Sequence, residues 1–68
     1  MKIKVKTHGH QHYHEDEGEV LLWTQNVAAY PENRYLQVPA VILKTNQGVK
    51  VVNLSQYLYW TEIEYLGE

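Results

Sequence analysis

Polar and apolar residues alternate with a period of two along much of this chain, the spacing of half-buried β-strands. Lys2-Ile3-Lys4-Val5-Lys6-Thr7 alternates strictly, which predicts a strand with Ile3 and Val5 inward. Val20-Leu21-Leu22-Trp23-Thr24 is a continuous apolar run, as expected of a central strand. Between them, Glu15–Glu19 with Gly18 suits a hairpin turn. Gln25–Tyr30 extends the second strand or forms one short helical turn. Tyr30-Pro31-Glu32-Asn33 is a turn, because Pro presets φ at its second position. Arg34–Val38 reads as a further strand, and Pro39, which cannot donate to a ladder, marks an edge or a bulge. The clearest unit is a hairpin: Val41–Thr45 and Val49–Asn53 flank Asn46-Gln47-Gly48, which suits a type I turn followed by a left-handed Gly.

After a single turn over Asn53–Gln56, the chain finishes on Tyr57–Tyr65. Tyr59, Thr61, Ile63 and Tyr65 share one face there, and Leu58, Trp60, Glu62 and Glu64 the other. These elements predict an all-β domain with at most one short helical turn, built as a small five-stranded antiparallel barrel or strongly bent sheet. The strand–turn rhythm of residues 41–66 resembles that of many small SH3-like and Sm-like barrels, without a diagnostic motif. The expected core is Ile3, Val5, Leu22, Val41, Leu43, Val51 and Ile63.

With 68 residues the chain makes one domain, and domains of this size bury only ~60% of the surface exposed when unfolded. There is no cysteine, so no disulfide or thiolate site staples it. A homo-oligomer is one expected source of the missing burial. Net charge is -2 with the histidines neutral, which disfavours strong phosphate binding. Residues 1–6 lack the apolar stretch of a signal peptide, and no apolar run is long enough for a membrane span. A soluble, cytoplasmic protein is expected. The aromatic residues are six Tyr and two Trp with no Phe, so each carries a polar group and suits a surface with one dry side.

The most distinctive stretch holds His8, His10, His12 and His14 on alternate residues, followed by Glu15, Asp16, Glu17 and Glu19. An unbroken strand from Lys2 to His14 would put all four imidazoles on the lysine face. Neighbours on one face are ~6.5–7 Å apart, close enough for a His-x-His pair to share Zn(II), Ni(II) or Cu(II). The surroundings are too polar to orient those rings as a built site requires. Residues 8–19 are therefore expected to be a projecting His/acid-rich hairpin tip, with no cofactor and only weak Zn or Ni binding. Protonation of the four rings near pH ~6.5 would also swing its charge.

Catalysis is not expected. Ser55 is the single serine, it lacks a Gly-x-Ser-x-Gly setting, and no Gly-rich phosphate loop is present. Tyr57, Tyr59, Trp60 and Tyr65 could stack bases, as in small-barrel single-stranded nucleic-acid-binding modules, but Glu62, Glu64 and Glu68 place negative charge beside them. A non-catalytic protein-binding module remains, with Tyr57, Tyr59, Trp60, Tyr65 and Trp23 as the expected contact residues and a partner of unknown identity. In composition the chain is similar to small phage-encoded inhibitors of host defence, anti-CRISPR proteins among them. That likeness implies an inhibitor of a host protein. A His-cluster metal-binding protein and a nucleic-acid module are the alternatives.

Overall fold

The computed structural model describes residues 1–67. Five strands follow one another: β1 (Lys2–Gly9), β2 (His12–Tyr30), β3 (Arg34–Thr45), β4 (Gly48–Asn53) and β5 (Tyr59–Gly67). They form one sheet in the order β4-β3-β2-β1-β5, antiparallel at every pairing. β4 and β5 lie at opposite edges and do not pair, so the expected barrel or strongly bent sheet does not form. The linker after Asn53 carries the chain from one edge to the other, and β5 adds to the free side of β1. Residues 25–30 continue β2 and form no helical turn.

The first turn falls at His10–Gln11, not within 15–19, and Gln11 takes a left-handed φ of 63°. The acidic run is thereby paired strand: Lys2 faces Glu19, Lys4 faces Glu17 and Lys6 faces Glu15. The second turn spans Pro31–Asn33 with Glu32 and Asn33 left-handed. The predicted hairpin is present, with Gly48 at φ 113° after Asn46 and Gln47, neither of which has a positive φ.

One face, the inner one, carries the core of Ile3, Val5, Val41, Leu43 and Val52, with Val20 and Leu54 packed against it. Four of the seven expected core residues are buried there. Leu22, Val51 and Ile63 are not, at 54%, 50% and 36% exposure. The cause for Leu22 is a register shift between Val20 and Leu22. The unpaired Leu21 reverses the alternation, so Leu22 aligns with Ile42 on the outer face. A straight 19-residue strand would span ~60 Å, more than the molecule's longest extent of 40 Å, so β2 also changes direction along its length, a bend within one strand that leaves the sheet open. Val51 pairs with Ile42 while Val52 pairs with the buried Val41, which puts Val52 inward instead. Ile63 does lie on the inner face opposite Val5, but β5 is an edge and little covers it. On the outer face Ala28, Val38 and Ala40 are also buried, near a hydrogen bond from Asn26 to Asn53.

Two local features fix this arrangement. Gly18 is buried on the inner face, where a Cβ would stand 2.5 Å from the Lys44 carbonyl oxygen. Only glycine lets the β3 backbone come this near. Pro39 is the second feature. It sits inside β3, paired with Gln25 of β2 but one residue beyond the β3–β4 ladder, which begins at Ala40, so on that side it lies at an edge as expected. Its carbonyl accepts from the Leu54 N–H at 2.8 Å, so its nitrogen also points towards the β4 side. Proline has no N–H to return, and the Leu54 carbonyl accepts instead from the Thr61 hydroxyl of β5 at 2.7 Å. A missing donor in β3 thus becomes a tie between the end of β4 and β5.

Gly18→Ala should destabilise the fold by ~1–3 kcal/mol, as overpacking against backbone does. Thermal melting checks this, and an unchanged midpoint would mean β3 can retreat freely. Thr61→Val keeps shape but leaves the Leu54 carbonyl without its donor. It should cost ~1–3 kcal/mol in denaturant unfolding, with Thr61→Ser retaining most of the stability.

Candidate functional site

The β1–β2 and β1–β5 registers assemble a charge ladder on the outer face. Lys2, Lys4 and Lys6 run down the middle, with Glu15, Glu17 and Glu19 on one side and Glu62 and Glu64 on the other. Opposite charges on facing strands attract. Lys6 reaches Glu64 at 3.0 Å, Lys4 reaches Glu15 at 3.7 Å and Lys2 reaches Glu17 at 3.7 Å. Its hydrogen bond and attraction to Glu64 hold the Lys6 ammonium above its ordinary pKa.

Aromatic rings close one end of the ladder. His8 stacks flat on Trp60, ring centres 4.0 Å apart at 10°, and meets Tyr13 at 4.9 Å. His8 Nε2 lies 2.8 Å from Glu62 Oε1, is shielded from solvent and makes no aligned hydrogen bond. A protonated His8 would face both a carboxylate and a π-face here. The Tyr13 hydroxyl donates to Glu15 Oε2 at 2.6 Å. That bond lowers the Glu15 pKa and raises the Tyr13 pKa.

The histidine run is therefore divided. The chain reverses at His10–Gln11, so His8 stands on the outer face, His10 in the turn, and His12 and His14 opposite Gly9 and Thr7 on the inner face. Among the described residues, no three His, Cys, Asp or Glu side chains are grouped to hold a metal ion.

His14 instead joins a polar group that sequence reasoning missed. Asp16 is the buried carboxylate of the inner face. Its Oδ1 accepts from Lys50 Nζ at 2.6 Å and lies 3.2 Å from His14 Nε2. Lys50 belongs to β4, so this pair reaches across β3 to tie β4 to β2. An open, polar hollow of about 310 Å³ lies between this group and the 45–47 loop. A second hollow of about 520 Å³ flanks Gly18 and Lys44. Both are lined chiefly by charged and amide side chains.

The five expected contact residues do not meet on one surface. Tyr57 lies in the linker, edge-on to Tyr30 at 5.8 Å. Tyr59 covers Gly9 on the inner face, where a Cβ on Gly9 would stand 2.3 Å from its ring. Trp60 is on the outer face against His8. Tyr65 is 65% exposed near the far end of β5, and Trp23 is exposed on β2. The tyrosine-rich surface and base-stacking platform expected from sequence are therefore not assembled as one cluster. Glu68 lies outside the described residues.

Comparison with protein-family models, curated proteins and solved structures finds no match to this chain. No helix among the described residues is long and apolar enough to cross a membrane.

The Tyr13–Glu15 bond sets a pH dependence. A carboxylate with a lowered folded pKa contributes stability above its unfolded pKa and loses it as pH falls through the folded value. Tyr13→Phe should return the Glu15 titration, followed by side-chain NMR, upward towards the ordinary carboxylate range. The Glu15 share of the acid unfolding limb should shrink with it. An unchanged Glu15 titration would assign the shift to Lys4 and Lys6 instead.

Proposed function

We propose that this protein is a non-catalytic protein-binding module that takes an extended segment of another protein onto the free edge of β5. The observation that carries this reading is the chemistry of that edge. The Val20 N–H donates to the Met1 carbonyl, which fixes the alternation of β1. Its odd-numbered residues bond to β2 and its even-numbered residues to β5. Trp60, Glu62 and Glu64 pair with those even residues. The backbone groups of Thr61, Ile63 and Tyr65 therefore point away from the sheet.

An added strand would meet different side chains on the two faces, and alternate side chains are the usual basis of specificity in strand addition. Ile63 and Tyr65 present apolar surface on the inner side. Glu62 and Glu64 stand on the outer side beside the exposed Trp60. The complementary segment alternates apolar residues with Lys or Arg. The absence of a catalytic role is part of the proposal, since the buried Asp16 is held by Lys50 and His14.

Panning a displayed peptide library against the protein tests this. Enriched sequences should alternate apolar and basic residues, and amide shifts on binding should map to β5. The double change Glu62→Lys and Glu64→Lys should reverse the preference towards acidic peptides. Enrichment that ignores this reversal, or shifts that map to another element, would remove the reading.

A further inference from the structure

We infer that the free edge of β4 is a self-association surface on which a second copy of this chain pairs, antiparallel, about Val51. This surface is separate from the β5 edge and does not rest on the role given to it. Three observations converge on β4.

The first is the direction of its backbone groups. The Leu54 N–H donates inward to Pro39. Alternation then turns Lys50 and Val52 towards β3, and Val49, Val51 and Asn53 outward. These three outward residues are symmetric about Val51. A two-fold axis there sets Val51 against its own copy and Val49 against the second copy's Asn53. Each pair exchanges both N–H···O=C bonds, so every outward group from Val49 to Asn53 is satisfied.

The second is the side-chain row. Leu22, Ile42 and Val51 are in register on the outer face, with Leu22 and Val51 half-exposed and Val49 at 67%. Symmetry about Val51 continues this row through the second copy as Val51, Ile42 and Leu22. An apolar strip that ends in water becomes continuous across six strands.

The third is charge. The single charged side chain of β4, Lys50, lies on the inner face with Nζ 2.6 Å from Asp16. No like charges meet at the axis. The β5 edge fails the same test: a two-fold axis at Ile63 would set Glu62 against the second copy's Glu64, and like charges directly opposed destabilise a strand pair. An interface built on six residues is small beside the ~1,200 Å² of a tight complex. The expected dimer is therefore concentration-dependent, with a dissociation constant of the order of micromolar.

Sedimentation of the whole chain across a concentration series provides the test. The mass should rise from 8.0 kDa towards twice that value. Over the same range the amides of Val49, Val51 and Asn53 should gain protection from hydrogen exchange. Val51→Pro removes only an outward N–H, a change that edge strands tolerate. It should leave the circular dichroism spectrum intact and the mass at 8.0 kDa. Val51→Lys puts two cations at the axis and should act likewise, while Glu62→Lys with Glu64→Lys should leave association by β4 in place. A mass fixed at 8.0 kDa up to ~1 mM, with these amides exchanging freely, would overturn the inference. So would a dimer that survives Val51→Pro.

Discussion

The structure depends on the side chain that Gly18 lacks. The core joins Ile3 and Val5 of β1 to Val41, Leu43 and Val52 of β3 and β4, and β2 runs between them. Apolar contact across an intervening strand requires that strand to contribute little bulk on the inner face. Gly18, opposite Ile3, contributes none and admits the Lys44 carbonyl. Asp16, opposite Val5, contributes a carboxylate whose burial would be costly without partners. Lys50 and His14 supply them. The carboxylate is buried while Lys50 and His14 stay largely exposed, and the Lys50 contact ties β4 to β2.

Much of the sheet was legible in the period-two pattern. The strands at residues 2–7, 20–24, 41–45 and 49–53 and the glycine turn at 46–48 follow from alternation and turn chemistry. So do the faces of Tyr59–Tyr65. The location of the first turn was obscured by composition. Glu15, Glu17 and Glu19 share a parity, as do Lys2, Lys4 and Lys6. Two complementary alternations are the signature of an antiparallel charge ladder, yet a run of acids beside a glycine also resembles a solvated loop. Placing the turn at 15–19 moved His12 and His14 to the wrong face and hid Asp16. The bulge at Leu21 was illegible for another reason: a continuous apolar run carries no period that a shift could interrupt. Closure was overestimated because alternation fixes faces and registers but leaves curvature open.

Pro39 shows a local rule at work: it lies one residue past the β3–β4 ladder, on the side of β3 that β4 no longer covers. Proline is confined to edges because an unpaired inner carbonyl is expensive. Here the ladder has already ended at Ala40, and a hydroxyl from a distant element supplies the donor that the Leu54 carbonyl would otherwise lack. Thr61 lies on the inner face opposite Thr7, and the linker turn through Tyr57 and Leu58 brings it to Leu54. Leu58 takes a left-handed φ of 65° in that turn, an unusual conformation for a branched side chain.

An open sheet must keep its edges from pairing indiscriminately, and the two edges here are treated differently. β5 carries Glu62 and Glu64, which disfavour pairing with a copy of the same edge and suit the basic strand proposed above. β4 has withdrawn its one lysine to neutralise Asp16, so the charge that would normally guard an edge serves the core instead. Neutralising the carboxylate beneath Lys50 and exposing an uncharged valine edge are thus two results of one side-chain choice. That choice couples the register of the core to the chemistry of the surface. In the association proposed above, the outer row of a small chain gains burial where its edge is free of charge, and of the two edges β4 meets that condition.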